Sequence, residues 1–224
     1  MITLHHLENS RSQRILWLLE ELGLDYAIER YARDPETGLA PPELRAIHPL
    51  GKSPVITDDE LTIAESGAII EYLLDHYDDG RLRPAPDTTA GLAYTYWLHY
   101  AEGTFMPLMI LSLVMGRIES APMPFFVRPI ARGIVDKVRG GYLDRNVKLN
   151  LDFMEATLHE TRWFCGEHMS AADIQMSFPV EAASVRTDLK RHYPELNAFL
   201  ATIHALPTYQ AALEKGGPYE LPGA

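Results

Sequence analysis

The feature that most constrains this chain is a change of rhythm near residue 80 of its 224. Before that point, strand and helix signals alternate. Ile2 to Leu7 is short and β-compatible, and Ser12 to Leu22 then carries Ile15, Leu16, Leu18, Leu19 and Leu22, one helical face that stops at Gly23. Tyr26 to Tyr31 reads as a second strand and Pro41 to Ile47 as a short helix opened by prolines. Pro54 to Thr57, the turn at Asp58-Asp59 and Leu61 to Ala64 form a hairpin, and Gly67 to Tyr77 is helical again. The order is β-α-β-α-β-β-α. A β-α-β unit demands a parallel pair and a hairpin an antiparallel one, so the sheet is expected to be mixed.

Beyond Asp78 the pattern changes. Asp-Asp-Gly and two prolines break all periodicity, and the later segments read only as helices: Gly91 to Ile118, Ile130 to Trp163, Ala171 to Val185 and Glu195 to Ala205. The expected fold is thus α/β plus all-α: residues 1–80 as a domain with a mixed four-stranded sheet, 81–89 as a linker, and 90–224 as a helical bundle.

Composition narrows the function. With 20 Lys and Arg against 31 Asp and Glu the net charge is −11, the wrong sign for nucleic acid or an anionic membrane surface. Cys165 is the only cysteine, which rules out an internal disulfide and a Cys-x-x-Cys redox pair. The N-terminal stretch alternates too early for a signal peptide, and the apolar run Phe105 to Met115 is shorter than the ~20 residues of a membrane span. A cytoplasmic protein is expected.

Three short stretches carry chemistry, each where a strand meets a turn or helix. Asn9-Ser10-Arg11-Ser12 falls where the first strand gives way to the first helix, and the unpaired N–H groups there favour an anion such as a thiolate. A hydroxyl at that place can bond the sulfur, although the same serines also suit a helix cap. Lys52-Ser53-Pro54 precedes the hairpin. A cis bond before Pro54 would turn the Ser53 main chain outward, to pair with an extended peptide; a plain trans turn is the commoner outcome. In Glu65-Ser66-Gly67, a serine at a helix start can hold a carboxylate while Glu65 suits an ammonium group. Together they offer a sulfur site, a strand edge and an amino-acid head site, which a γ-glutamyl tripeptide with a central cysteine would fit.

These stretches, with His48-Pro-Leu-Gly-Lys-Ser-Pro-Val-Ile56, Ala64-Glu-Ser-Gly-Ala-Ile-Ile-Glu-Tyr-Leu73 and Met169-Ser-Ala-Ala-Asp-Ile174, resemble the glutathione transferase family over essentially the whole chain. The resemblance implies a thioredoxin-like first domain and a helical second domain holding the electrophile pocket. It implies Ser10 as the thiolate-stabilising hydroxyl and Lys52 near the glycyl carboxylate. Ser53 would give its backbone to the cysteinyl unit, Pro54 would be the cis-proline, and Glu65 with Ser66 would hold the γ-glutamyl end. Glutathione is the implied co-substrate, with no metal, a small hydrophobic electrophile and a homodimer. Glutathione-dependent lyase, isomerase or peroxidase chemistry is the alternative on the same site, and a non-catalytic glutathione-binding scaffold another.

The resemblance also marks Ser170 and Asp173 as a capping box serving folding. His5 and His6, on opposite strand faces, and Cys165, beside Trp163 and Phe164, are expected to be structural. Tyr96, Tyr100, Phe105 and the methionines 106, 109 and 115 are candidates for the pocket.

Overall fold

The computed structural model describes residues 1–217 and 219–221. Its first part runs β1 Ile2–Leu7, α1 Ser12–Glu21, β2 Tyr26–Tyr31, α2 Glu43–Ile47, β3 Val55–Asp58, β4 Leu61–Ala64 and α3 Ser66–Tyr77, the expected succession. The four strands lie in the order β2-β1-β3-β4. β1 is parallel to β2, with Ile2 opposite Tyr26, and antiparallel to β3, which forms a hairpin with β4. The sheet is mixed, as the β-α-β and hairpin signals require.

The second part is helical among the described residues: α4 Thr89–Tyr100, α5 Met106–Ser120, α6 Arg128–Val138, α7 Asp144–Glu160, α8 Ala171–Ser184, α9 Leu189–His192, α10 Pro194–His204 and α11 Pro207–Gly216. Single π turns, Ala101–Phe105 and Arg139–Leu143, fuse α4 to α5 and α6 to α7. The fused run Thr89–Ser120 is 32 residues, long and apolar enough to cross a membrane by length and composition alone. The shorter Phe105 to Met115 stretch had not revealed this. The run packs on α8 and buries Trp97, Leu98, Phe105 and Met109.

The two parts share one hydrophobic core. α1 is buried at every position from Ser12 to Leu19 because it is sandwiched between the sheet, α3, α8 and α11. α8 is buried from Ala171 to Ala183. The Asp173 carboxylate organises its start, accepting from the main-chain N–H groups of Phe164 and Ser170, each at 2.8 Å. Between α3 and α4 the chain is not a loose tether. Leu82 is fully buried, and its carbonyl accepts the Ala171 N–H at 2.9 Å.

α9 and α11 were not foreseen. α11 is short and begins at a proline, yet its end closes on β1: a Cβ added at Gly216 would lie 2.8 Å from Gln13 and 3.4 Å from the His6 ring. A side chain at this position would have to displace the ends of the Gln13 and Leu16 side chains.

Candidate active site

At one end of the sheet, the β1–α1 turn, the approach to β3 and the β4–α3 turn surround a cleft continuous with the helical part. One hollow of about 340 Å³ has Ser10, Lys52 and Ser53 in its wall, facing α5 and α8. An adjoining hollow of about 250 Å³ holds Lys52, Ser53, Pro54, Glu65 and Ser66. All the site residues expected from sequence therefore border two neighbouring hollows.

Ser10 is buried, its oxygen 2.8 Å from both the Leu7 carbonyl and the Ser12 hydroxyl oxygen, and it accepts the Ser12 N–H at 3.2 Å. The Ser10 oxygen thus ties the β1–α1 turn together, while the N-cap of α1 is Arg11, which makes no side-chain cap bond. Ser12 Oγ is itself 3.2 Å from the Leu7 carbonyl and 2.9 Å from His6 Nδ1. Ser12 has a single proton to share between the Leu7 carbonyl and His6 Nδ1.

The Ser53–Pro54 peptide is cis. The Ser53 hydroxyl donates to the His5 carbonyl at 2.9 Å and accepts the Leu7 N–H at 3.3 Å, stapling this segment to β1. Neither main-chain polar group of Ser53 is paired with another main chain among the described residues. That leaves an open edge for an extended ligand. Lys52 stands exposed beside it.

Glu65 adopts φ 73°, the left-handed region that a side chain rarely enters. Strain of this kind, of order 1–3 kcal/mol, persists where surrounding structure enforces it, and here it sets the Glu65 carboxylate outward at the mouth of α3. The Ser66 hydroxyl is buried and accepts from Arg14 Nη2 at 2.8 Å, leaving its own proton to donate.

Sequence reasoning missed the support behind this corner. Arg14 is 1% exposed in its side chain and is bonded to Ser66, to Glu102 and to the Gln175 carbonyl, the last at 2.8 Å. Pro179 lies inside α8, and a proline has no N–H for the carbonyl four residues before it. Arg14 donates to that freed Gln175 carbonyl. A proline within a helical pattern and an arginine amid the leucines of α1 were the available signals. Glu102, placed by the first π turn, also accepts from Arg11 Nε at 3.0 and 3.1 Å and borders the smaller hollow. Burial raises the affinity of Glu102 for a proton, but the two guanidiniums outweigh it and hold the carboxyl below its usual range.

The helical wall of the larger hollow comes from α5 and α8: Met106, Met109, Ile110 and Leu113, with Phe178 and Ala182 opposite. Two of the three methionines are there; Met115 is in the core. Tyr96, Tyr100 and Phe105 are not in this wall, which corrects the expectation. Tyr96 and Tyr100 stack in a cluster with Trp97 and Phe153, and Phe105 is fully buried.

Cys165 is buried under the Ser170 hydroxyl, and burial pushes its thiol up to about 12, so it is no nucleophile. His5 bonds Tyr31 and Thr57, and His6 bonds Ser12. Among the described residues, no group of three or more His, Cys, Asp or Glu is placed to hold a metal ion.

A mixed four-stranded sheet fused to a helical bundle, with an open main-chain edge beside a buried hydroxyl, defines a protein of the thioredoxin-like class with a helical second part. Comparison with known proteins gives the family. Residues 10–76 match the glutathione S-transferase N-terminal domain and residues 133–216 the glutathione S-transferase C-terminal domain. Glutathione S-transferase 3 of Schizosaccharomyces pombe is 38% identical over 96% of this chain and 88% of its own. Glutathione S-transferase 1 of Saccharomyces cerevisiae is 35% identical over 96% and 95%. A crystal structure of a glutathione S-transferase from Actinobacillus pleuropneumoniae superposes with a TM-score of 0.82 at 38% identity, covering 96% of this chain and 93% of the other. This chain belongs to the glutathione S-transferase family.

Proposed function

We propose that this protein is a glutathione transferase that holds the glutathione sulfur as a thiolate at Ser10 and adds it to an electrophile seated against α5 and α8. The carrying observation is the convergence of Ser10, the Ser53 main chain and the Glu65–Ser66 corner on one end of the sheet. Glutathione lies along the Ser53 edge with its sulfur at the start of α1. The Ser10 O–H and the helix terminus stabilise the sulfur anion, raising the reactive fraction of a thiol whose free pKa is ~8.5.

Lys52 faces the glycyl carboxylate. Ser66, polarised by Arg14, donates to the γ-glutamyl carboxylate, and Glu65 takes the ammonium group. Met106, Met109, Ile110 and Phe178 give the electrophile a hydrophobic seat, and proximity to the thiolate lowers the barrier further.

The test is Ser10→Ala with the bound thiol titrated by its thiolate absorbance. The thiol pKa should rise and kcat/KM should fall by about 10²-fold, the scale of losing one preorganised donor. An unchanged titration would remove Ser10 from the mechanism and pass the role to Asn9, Arg11 or Ser12.

We also assign a homodimer, a cytoplasmic location and domains at 1–80 and 90–224 joined by a linker at 81–89. Leu92, Tyr96, Leu149 and Phe153 expose apolar surface on α4 and α7, which a second copy would cover, and light scattering checks this. The lone buried thiol of Cys165 suits a reducing compartment.

A further inference from the structure

In a chain of net charge −11, the larger hollow has Arg11, Arg33, Lys52, Arg117 and Arg186 in its wall and, among the described residues, no Asp or Glu. Glutathione and the fold account for some of these cations. Lys52 meets the glycyl carboxylate in the function proposed above. Arg11 is bonded to both oxygens of Glu102. Arg33 is occupied with main-chain carbonyls, donating to Glu8 at 3.2 Å, Gly38 at 3.0 Å and Asn9 at 3.1 Å.

Arg117 is different, and Arg186 beside it also donates to the Ala182 carbonyl at 2.7 Å. They stand on the helical side, Arg117 on α5 and Arg186 just beyond α8, away from the glutathione edge. Arg117 has no ion-pair partner among the described residues. Its charge reaches Arg33, whose proton affinity is lowered first by burial and further by Arg117. Like charges gathered around one hollow repel, and an anion entering between them relieves that repulsion.

The same two arginines, with Leu113, also border a second hollow of about 820 Å³ on the far side, between α5 and α7. Arg117 therefore sits at a junction. On its inner side the wall is apolar (Met106, Met109, Ile110) and leads toward Ser10. A ligand that satisfies this arrangement is apolar near the sulfur and negatively charged at its distal end.

We propose that the second substrate is an apolar electrophile bearing a carboxylate, and that Arg117, flanked by Arg186, reads the carboxylate while the reactive carbon lies at the glutathione sulfur. This rests on the glutathione-transfer reading and names its substrate class. For an α,β-unsaturated ketone the step is an addition. The thiolate forms a C–S bond at the β-carbon, the C=C pair moves onto the carbonyl oxygen, and the enolate takes a solvent proton at its α-carbon. The carboxylate is unchanged throughout; its work is orientation.

The experiment compares ethacrynate, a phenoxyacetate with an α,β-unsaturated ketone, with its methyl ester at saturating glutathione. 1-Chloro-2,4-dinitrobenzene is the neutral reference. The full chain should prefer the acid over the ester in kcat/KM by about tenfold, the scale of one charge-assisted contact at a half-open site. Arg117→Met should bring that ratio to about one and Arg117→Lys should keep part of it; the loss should appear mainly in KM for the acid.

An acid-to-ester ratio near one in the unaltered protein, with the neutral electrophile turned over, overturns this inference and leaves glutathione transfer standing. A ratio that survives Arg117→Met removes Arg117 from the role and overturns it too. Absence of turnover with all three electrophiles, together with no glutathione binding, overturns the transfer reading on which it rests.

Discussion

The two halves of the cleft are built by different means. The half proposed for glutathione uses backbone: the open main chain of Ser53, the start of α1 and the strained turn at Glu65. Each stands at a junction between a strand and its neighbour, so its position follows from the sheet. The half proposed for the electrophile uses side chains on α5 and α8, and their placement depends on how long helices are rotated against one another. A site held by backbone is robust to substitution, whereas a site held by helix faces is retuned by it. The Arg14–Glu102 clamp ties the halves together.

Breaking that clamp should have the largest effect. Glu102→Ala leaves Arg14 charged and enclosed without its carboxylate, at a cost of about 3 kcal/mol or more. Urea titration should show the loss. If glutathione affinity nevertheless survived intact, the two halves would be independent and the contrast between them sharper than drawn here.

Acid should act on the backbone half first. Burial, aided by Arg30, lowers His6 to about 4 against an ordinary 6.5, despite the opposing bond from the Gly216 main chain. Between those values the unfolded chain binds the proton and the folded one refuses it. Stability is thus complete above pH 6.5 and is lost as pH falls through 4, on the order of 3 kcal/mol for this one group. Chemical denaturation across that range should show the slope, and His6→Gln should flatten it.

Smaller effects separate the halves in kinetics. Lys52→Ala should raise KM for glutathione by about fivefold, and added salt should shrink the difference, because the lysine is exposed. Ile110→Ala should raise KM for the electrophile by about threefold, more than it moves KM for glutathione. Equal shifts in both constants from either change would mean that the halves are not distinct.

The same contrast decides what could be read from sequence. Elements β1 to α3 were legible because period and turn residues dictate them, and with them the placement of Ser10, Lys52, Ser53, Pro54, Glu65 and Ser66 at strand junctions along one cleft. Arg14 and Glu102 were not legible as a pair: they are 88 positions apart and meet only when α8 and the π turn are in place. Tyr96 and Tyr100 misled because aromatic character does not say which face of α4 meets the cleft; both rings pack against Phe153 instead. α11 was missed because ten residues opened by proline give little periodic signal, although its glycine end seals His6.

The π turn at Ala101–Phe105 acts as a phase setting between two rows on one rod. One residue of a helix corresponds to a rotation of about 100°. Deleting or adding a single residue there would swing the whole of α5 like a key in its barrel. Met109, Ile110, Leu113 and Arg117 would leave the cavity together, while everything before residue 101 kept its place. Single-residue length changes at that turn are therefore an abrupt route to a new diet for a chain of this shape, one that gradual substitution of the lining cannot match.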